Sequence, residues 1–333
     1  MTHENLPRKS AAEIAKGELG ILSLSEADVS DLLEPRALLD GLAEGFKALS
    51  SGRVQVPARP AITLPGKGFS LAMPAWMEGA PIMVKVVNVF EGNLAVGLPN
   101  HLALITLYDQ ATGAPVCVMD GTHITAFRTA ASAALSVRML ARKEAAVATI
   151  VGAGVQGREH LRLLPLVRDF AEIRIASLHP EDAERLTRHH PRARAVTDVE
   201  AAVRSSDVVC LASHSYEPVI ERRWIRPGTH VSSVGYAPPR GELPSDLSRA
   251  AALFVETRDA FKAPPVGCAE LAGLDPKIGT ELGEVLMGRR PGRTSDGQIT
   301  VYKAMGVAME DLVAAQLVYD KARARGIGHH LIL

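Results

Sequence analysis

The chain has 333 residues, of which 47% are hydrophobic and 22% are charged, values typical of a soluble protein with a large core. Its 37 Lys and Arg residues balance 37 Asp and Glu residues, and aromatic residues make up only 4%, which argues against a nucleic-acid-binding surface. The first 20 residues lack the apolar stretch of a secretory signal, and no segment is apolar for long enough to span a membrane. We therefore expect a cytoplasmic protein with no membrane or nucleic-acid partner.

The first third of the chain predicts a helix followed by strands. Residues 1–20 form a polar extension, and a start signal at Ser25 precedes a helical stripe of Leu and Phe residues. The following segment is rich in Pro, Gly and β-branched residues, and its apolar runs predict strands of a mixed sheet: PARPAITL, FSLAMPAW, PIMVKVVNVF and LALITLYD. Residues 111–113 predict a hairpin turn.

The pattern changes at Asp120. An Ala-rich segment, DGTHITAFRTAASAALSVRMLARKEA, predicts a long helix. After it the strands are continuous apolar runs separated by helical stretches, which indicates a parallel sheet covered on both faces: AAVATIVGAG, EIRIASL, VVCLAS, HVSSVG and AALFVET. The last segment, TVYKAMGVAMEDLVAAQLVYDKARARG, predicts one long C-terminal helix.

These patterns predict an α/β protein of two domains. Residues 131–300 form a Rossmann domain with a doubly wound parallel sheet. Residues 21–130 plus 301–333 form a second, mixed α+β domain for substrate binding and dimerisation, built from both chain ends. The three cysteines, Cys117, Cys210 and Cys268, lie far apart and predict buried, reduced thiols, and no metal site is expected.

A glycine-rich turn, Gly152-Ala-Gly154-Val-Gln-Gly157, comes directly after an apolar strand and before a helix. In this context the GxGxxG spacing predicts a dinucleotide site. Gly152 allows a tight turn, Gly154 lets the pyrophosphate approach the backbone, and Gly157 lets the helix pack closely on the strand. The helix N-terminus then faces the phosphates.

The end of the next strand, where NAD enzymes carry Asp or Glu for the ribose hydroxyls, holds Ser177, followed by Leu178 and His179. A neutral Ser does not repel a 2′-phosphate, and His179 can donate to one. The arginine of most NADP sites is missing, since Arg185 and Arg188 lie further along the chain. The sequence therefore predicts NAD(P)H binding, favours NADP(H) slightly and leaves NAD(H) open.

Three isolated cations lie in apolar or small-residue surroundings: Arg59 in VPARPAITL, Lys85 in IMVKVVNVF and Arg128 in ITAFRTAASAAL. Burial of an unpaired charge costs several kcal/mol, so each cation is either exposed, paired within the protein, or directed at a bound anion. Convergence of all three on a substrate carboxylate is the functional hypothesis, and internal pairing is its alternative.

Four segments make the chain resemble the ornithine cyclodeaminase/mu-crystallin family over residues 20–325: DGTHITAFRTAASAA, IVGAGVQGREH, VGYAPPRGEL and TVYKAMGVAMEDLVAAQLVYD. The resemblance implies a Rossmann domain paired with a dimerisation domain. It implies that Arg59, Lys85 and Arg128 bind the substrate carboxylate and that Met305 lines the substrate pocket. The family's cofactor contacts correspond to a wider set: Asn100, Arg128, Val155, Gln156, Ser177 and Ser213, with Val234 and Gly235 beneath the nicotinamide.

One departure from the family pattern affects the chemistry. In VGYAPPRGEL, Ala237 stands where cyclodeaminases and related dehydrogenases of the family carry an Asp that meets the substrate amine. A methyl group can neither accept a proton nor pair with an ammonium. We therefore expect a ketimine or pyrroline-2-carboxylate reductase type of enzyme rather than one that cyclises ornithine, and the resemblance implies a homodimer.

The catalytic assignment follows from the same residues. Lys85 and Arg128 hold the carboxylate, and an unprotonated imine needs an acid, for which His101 and a water molecule are the candidates. Two other functions stay open: an ornithine cyclodeaminase or amino-acid dehydrogenase that uses the same site, and a cofactor-dependent small-ligand binding protein of the mu-crystallin kind.

Overall fold

A computed structural model describes residues 20–332 and places their strands in two eight-stranded sheets. The predicted polar extension lies outside the described residues, except that Gly20 begins the first strand. Within residues 20–332, no helix is long and apolar enough to cross a membrane. Cys117, Cys210 and Cys268 are buried and free, as predicted.

The first sheet is mixed and is built from strands near both chain ends. Its order is β16-β1-β7-β6-β5-β4-β2, and β3 also pairs with β4. The pair β1–β7 is parallel and the other pairs are antiparallel. The strands are β1 (Gly20–Leu24), β2 (Val54–Gln55), β3 (Ala61–Leu64), β4 (Gly68–Met77), β5 (Ile82–Phe90), β6 (His101–Tyr108), β7 (Pro115–Asp120) and β16 (His329–Ile332). The predicted strands and the turn at Gly113 are confirmed.

The helix predicted from Ser25 is divided in two. Helix α1 (Glu26–Leu32) begins at Ser25, whose side chain accepts from the Asp28 amide while Asp28 accepts from the Ser25 amide. Helix α2 (Pro35–Ser50) begins at Pro35. Proline has no N–H to continue α1 but its φ suits the first helical position, so the chain restarts the helix there.

The second sheet is parallel, with the order β10-β9-β8-β11-β12-β15-β13-β14. Its strands are β8 (Val147–Val151), β9 (Glu172–Ala176), β10 (Ala193–Ala195), β11 (Val208–Leu211), β12 (His230–Ser233), β13 (Ala252–Val255), β14 (Gly279–Glu281) and β15 (Thr300–Lys303). Strands β9 and β11 flank β8, so the strand order reverses at β8. Doubly wound sheets bind their ligands at such a reversal.

The remaining helices connect these strands or close the chain. They are α3 (Thr122–Leu140), α4 (Val155–Val167), α5 (Pro180–Thr187), α6 (Val199–Arg204), α7 (Ser245–Ala250), α8 (Leu282–Leu286) and α9 (Ala308–Arg325). The prediction of one long C-terminal helix was wrong for its first residues. Thr300–Lys303 is the buried strand β15 between β12 and β13, where β-branched and aromatic side chains pack well, and α9 begins only after Gly306, whose φ is +77°.

Helix α3 lies between the two sheets. It contacts α2 and α9 of the mixed part, and α4, β12 and β15 of the parallel part. Most of its Ala and Ser side chains are fully buried, which lets the neighbouring elements approach closely. Helix α3 therefore places residues from both chain ends next to the parallel sheet.

Candidate active site

The glycine turn lies at the carboxyl end of β8 and leads into α4. Gly152 has φ +122°, and a Cβ there would lie 2.3 Å from the Ala212 carbonyl oxygen. A Cβ on Gly157 would lie 2.0 Å from the Gly152 carbonyl oxygen, whereas a Cβ on Gly154 would meet no atom of the described residues within 4 Å. Gly154 is also the N-cap of α4 and offers no side-chain cap. The first-turn amides thus face an open cradle that fits a dinucleotide phosphate.

The ribose position at the end of β9 carries no carboxylate. Ser177 follows the strand directly, and the next side chain, Leu178, is 91% exposed. His179 is exposed too, with its Nδ1 4.0 Å from Glu181. The acidic side chains begin with Glu181 and Asp182 in the first turn of α5. Both are exposed or half-exposed.

Three other predicted cofactor residues lie at the start of α4 and before β6. Val155 is 57% exposed at the start of α4, and Gln156 donates to the Ala126 carbonyl, while its Oε1 is buried and accepts no hydrogen bond from residues 20–332. Asn100 precedes β6, where its carbonyl accepts from the Phe90 amide. The cofactor roles of these three residues stay predictions.

A buried glutamate connects two loops of this face. Glu242 is fully buried, and its Oε2 accepts from the amide and the hydroxyl of Ser213, each at 2.7 Å. Its Oε1 accepts from the Ser233 hydroxyl at 2.9 Å and from the Gly235 amide at 2.7 Å. One carboxylate therefore holds the ends of β11 and β12 at a fixed separation, including the Val234–Gly235 loop.

A buried ion pair supports this loop from below. Lys303, at the end of β15, donates to the Gly235 carbonyl at 2.6 Å and to Glu270 at 2.7 Å. Both side chains are almost fully buried. Since Lys303 also reaches Ser233 Oγ at 3.1 Å, it joins the Glu242 network, and the loop is tied on two sides.

Two of the three predicted cations converge on one carboxylate. Lys85 Nζ lies 2.7 Å from Asp311 Oδ2, and Arg128 Nε lies 3.0 Å from Asp311 Oδ1. Arg128 Nη1 also binds Glu310 Oε2 at 2.6 Å. Internal pairing, the alternative considered from the sequence, is therefore present for Lys85 and Arg128, because α9 supplies acidic partners for both cations. We call Arg59, Lys85, Arg128, Glu310 and Asp311 the cation cluster.

Arg59 joins the cluster from the mixed sheet side. Its guanidinium donates to backbone carbonyl oxygens of two loops, namely those of Pro265, Val266, Met305 and Gly306. It also lies over the Tyr236 ring, 5.9 Å from the centroid. Carbonyl oxygens satisfy donors without cancelling charge, so the positive charge of Arg59 remains available to an anion.

Burial and charge act in opposite directions on these cations. Burial lowers the pKa of Lys85 to about 8, against the opposing effect of the Asp311 carboxylate. Burial lowers the pKa of Arg59 as well. For Arg128 burial also disfavours the charge, but Asp311 and Glu310 outweigh it and raise the pKa. Arg128 is thus a permanent cation, whereas Lys85 can titrate.

His101 lies at the start of β6, close enough to Lys85 of the cation cluster for their charges to interact. It begins β6 four residues before buried Ile105, so strand alternation places both on the inner face. Desolvation, then the charges of His214 and Lys85, lower the pKa of His101. Solvent still reaches the imidazole.

Residues from both halves of the molecule meet beside His101. Glu91, just after β5, accepts a hydrogen bond from Tyr216 Oη and lies 3.6 Å from His214 Nε2. The His214 ring packs edge-on against His101, with centroids 6.4 Å apart. Asp109, just after β6, instead accepts from amides of its own hairpin turn.

A small cavity of about 120 Å³ lies beside Arg59 and Met305. Its wall is mostly aliphatic and includes Val56, Met73 and Val307. Met73 pairs with Lys85 across β4 and β5, which places the cavity next to the cation cluster. Ala237 is buried on the loop after Gly235 and brings no polar group to the site.

The sequence reasoning missed four acids: Glu242, Glu270, Glu310 and Asp311. The signal for two of them was present, because Glu310 and Asp311 are adjacent acids inside an otherwise apolar helix segment, AMEDLVAA. Charges in such surroundings need partners, just as the isolated cations do. Among the residues 20–332, no group of three or more His, Cys, Asp or Glu side chains is arranged to hold a metal ion.

Known proteins share this architecture along almost their whole length. The sequence profile of the ornithine cyclodeaminase/mu-crystallin family matches residues 22–326. Ketimine reductase mu-crystallin of Mus musculus is 34% identical over 305 residues, covering 89% of this chain and 96% of that protein. Delta(1)-pyrroline-2-carboxylate reductase of Thermococcus litoralis, solved with NADH and L-proline, has a TM-score of 0.87 at 32% identity, covering 93% of this chain and 100% of that one. An archaeal alanine dehydrogenase dimer with bound NAD has a TM-score of 0.84 at 28% identity, covering 94% of this chain and 99% of that one.

Proposed function

This chain belongs to the ornithine cyclodeaminase/mu-crystallin family, and we propose that it is a nicotinamide-dependent reductase of the C=N bond in small imino acids. The observation that carries the proposal is the pairing of a cation cluster with a loop that bears Ala237 instead of an acid. The cluster suits a carboxylate. Without a carboxylate at position 237, the site has no general base there for an amine substrate.

The residues then take the following roles. Arg128 and Lys85 orient the substrate carboxylate, and Arg59 closes the pocket over it. The Gly152–Gly157 turn holds the pyrophosphate, and the Ser213 and Val234–Gly235 loops, fixed by Glu242, support the nicotinamide. A reduced nicotinamide, when bound, supplies the hydride. The protein contributes mainly orientation and charge matching, since an iminium carbon is already electrophilic.

This scheme also needs a proton on the nitrogen of the imine. His101 faces the same space, but its lowered pKa leaves the imidazole neutral at pH 7. We propose that the substrate enters as the iminium, and that His101 protonates the imine only in acidic solution. At neutral pH, an imine that enters unprotonated takes its proton from water.

The cavity beside Met305 favours a small aliphatic side chain or ring. Its volume of about 120 Å³ and its mostly aliphatic wall suit a few methylene groups and offer little to a second carboxylate. Cyclic imino acids with five- or six-membered rings meet these limits. Pyrroline-2-carboxylate and piperideine-2-carboxylate are therefore the substrates we propose first.

The decisive experiment is a matrix of cofactors and substrates followed by absorbance of the reduced nicotinamide. We expect oxidation of NADPH or NADH with pyrroline-2-carboxylate or piperideine-2-carboxylate. Ornithine, lysine, alanine and proline are tested in parallel with NADP⁺ and NAD⁺. Ammonia release from ornithine would contradict the interpretation of Ala237. Micromolar cofactor binding without turnover of any imino acid would instead favour a small-ligand binding protein.

We further propose that NADP(H) is preferred to NAD(H), because no carboxylate follows β9 to repel a 2′-phosphate. Replacing Ser177 by Asp is expected to shift the ratio of kcat/KM values toward NADH by about tenfold or more, since the new carboxylate repels the phosphate and binds the ribose hydroxyls. Steady-state assays with both cofactors measure the ratio. Glu181→Gln, an exposed change one turn away, is the control. An unchanged ratio in Ser177→Asp would mean that position 177 does not determine the cofactor preference.

We also propose a homodimer formed through the outer face of the mixed sheet. Val86 and Leu104 are cross-strand partners on this face and are 40% and 52% exposed, and Ile62 on β3 is 69% exposed. Contiguous exposed apolar residues of this kind mark interaction surfaces. The archaeal alanine dehydrogenase is a dimer.

Introducing one charged side chain tests whether this surface forms the dimer contact. Leu104→Lys is expected to convert the dimer to monomers, because dimer formation would bury the new ammonium against apolar side chains. Sedimentation velocity measures the change. Ile278→Lys, at an exposed apolar position outside the mixed sheet, should leave the dimer intact. A dimer that survives Leu104→Lys would place the contact elsewhere.

A further inference from the structure

Two buried glutamates meet behind the cation cluster. Glu256 follows β13, and Glu310 lies in the first turn of α9. Both side chains are fully buried. They come from distant parts of the chain, yet they accept hydrogen bonds from consecutive amides of one loop, those of Gly306 and Val307. Two carboxylates held this close repel each other when both are ionised, and a hydrogen bond between them needs a proton on one of them.

The contacts of the pair leave one oxygen without a donor. Glu256 Oε2 accepts from the Met305 and Gly306 amides, each at 3.0 Å, and Glu256 Oε1 accepts from the Gly306 amide at 3.3 Å. Glu310 Oε2 accepts from Arg128 Nη1 and, at 3.4 Å, from the Val307 amide. Glu310 Oε1 is buried and receives no hydrogen bond from any N–H or hydroxyl donor within residues 20–332. A carboxyl proton on Glu256 would satisfy it.

We propose that Glu256 and Glu310 share a single proton, and that this pair is a positioning element of the carboxylate site that sets its charge. Arg59, Lys85 and Arg128 then face only two negative charges, that of Asp311 and the one shared by the two glutamates. The cluster is left with one net positive charge. It matches a monocarboxylate such as a cyclic imino acid, a conclusion that rests on the proposed function.

The surroundings of the pair are consistent with one retained proton. Burial first, and the charge of Glu310 second, raise the pKa of Glu256 well above its usual range, while Arg128 opposes them. Tyr302, on β15, donates to or accepts from Ser132 Oγ, and burial together with the two glutamates raises its pKa, so it stays neutral. Arg59, Lys85 and Asp311 are further charged groups near the pair. The net effect favours one carboxylate and one carboxylic acid.

Infrared spectroscopy tests the proton directly and needs no substrate, so its result is independent of the proposed reaction. At neutral pH we expect the C=O stretch of a protonated carboxylic acid, with the downshift in D₂O that marks an O–H group. Glu256→Gln should abolish this band, and so should Glu310→Gln, since Glu256 then ionises beside Arg128. Glu270→Gln, which removes a buried but Lys303-paired carboxylate, should keep it. Absence of the band in the wild type, or its persistence in both variants, overturns the proposal.

A rescue experiment tests the role of the pair in binding. The probe is pyrrole-2-carboxylate, a planar monoanion that cannot be reduced by the cofactor. Glu256→Leu leaves the Met305 and Gly306 amides unpaired and should raise the Kd by about tenfold or more. Glu256→Gln supplies a neutral group that both donates and accepts, and should recover most of that loss. A Gln variant no better than the Leu variant would mean that position 256 needs a negative charge, and would overturn the proposal.

Discussion

Replacing Lys85 by methionine is expected to lower kcat/KM for the imino acid by about 10²- to 10³-fold, while the Kd of the cofactor stays unchanged. Lys85 is fully buried, and its ammonium is one of two cations on Asp311. Loss of one partner of a buried charge pair costs about 2–5 kcal/mol, and each tenfold loss of rate corresponds to about 1.4 kcal/mol. Steady-state kinetics and fluorescence titration with the reduced cofactor measure the two quantities.

Stability must be separated from binding in this experiment. Lys85→Met is expected to lower the free energy of unfolding by about 3 kcal/mol, because Asp311 loses a charged partner in a buried site. The double variant Lys85→Met/Asp311→Asn removes the orphaned charge and should recover stability but not activity. Lys277→Met makes the same chemical change on the exposed surface and should alter neither. Wild-type kinetics in Lys85→Met would exclude Lys85 from carboxylate binding.

The same lysine predicts a pH dependence. Burial lowers the pKa of Lys85 to about 8, so the ammonium is present at pH 7 and is lost as the pH rises through about 8. The KM for the imino acid should therefore increase above that pH, because the carboxylate loses one of its cations. The Kd of the reduced cofactor, which does not depend on Lys85, serves as the internal control. A KM that stays constant up to pH 10 would contradict a titrating Lys85 in the site.

Gly154→Ala is expected to weaken cofactor binding by about 10²-fold with little effect on stability. A Cβ at this position meets no protein atom of the described residues within 4 Å, and the φ of −80° suits alanine. The free energy of unfolding should change by no more than about 1 kcal/mol. The methyl group would instead occupy the space where the pyrophosphate approaches the backbone. Fluorescence titration and chemical denaturation give both numbers.

Gly157→Ala provides the matched comparison, because it adds the same methyl group at the third residue of α4. Its Cβ would lie 2.0 Å from the Gly152 carbonyl oxygen, so α4 must move away from β8. We expect a loss of about 1–3 kcal/mol of stability together with the loss of cofactor affinity. Equal cofactor affinity in the wild type and Gly154→Ala would show that no phosphate lies against this turn.

Local patterns predicted the parts of the fold that depend on neighbouring residues. The Gly152–Gly157 turn needs only the strand before it and the helix after it, and all three lie within about 20 residues. Continuous apolar runs likewise predicted five of the eight parallel strands, namely β8, β9, β11, β12 and β13. The C-terminal segment failed for the opposite reason. Thr300–Lys303 has helical neighbours in sequence, but its place between β12 and β13 makes it a strand.

The site residues show the same difference between features set by sequence neighbours and features set by tertiary contacts. The three cations stood out in the sequence because charges are costly in apolar segments. Their partners did not, since Lys85 and Asp311 are 226 residues apart, and Arg128 and Glu310 are 182 residues apart. A sequence shows that a buried charge must be compensated, but the packing of α9 against α3 and the mixed sheet decides which residue compensates it.

The amino-acid sequence alone determined the two kinds of sheet, the phosphate-binding turn, the isolated cations and the missing acid at Ala237, because each of these is written in residues close together along the chain. Only the tertiary structure decided that Lys85 and Arg128 are paired with Glu310 and Asp311, that Glu242 ties two loops, and that Glu256 and Glu310 bind consecutive amides of one loop. Electrostatic interactions depend on distance in space, and only the folded chain sets those distances.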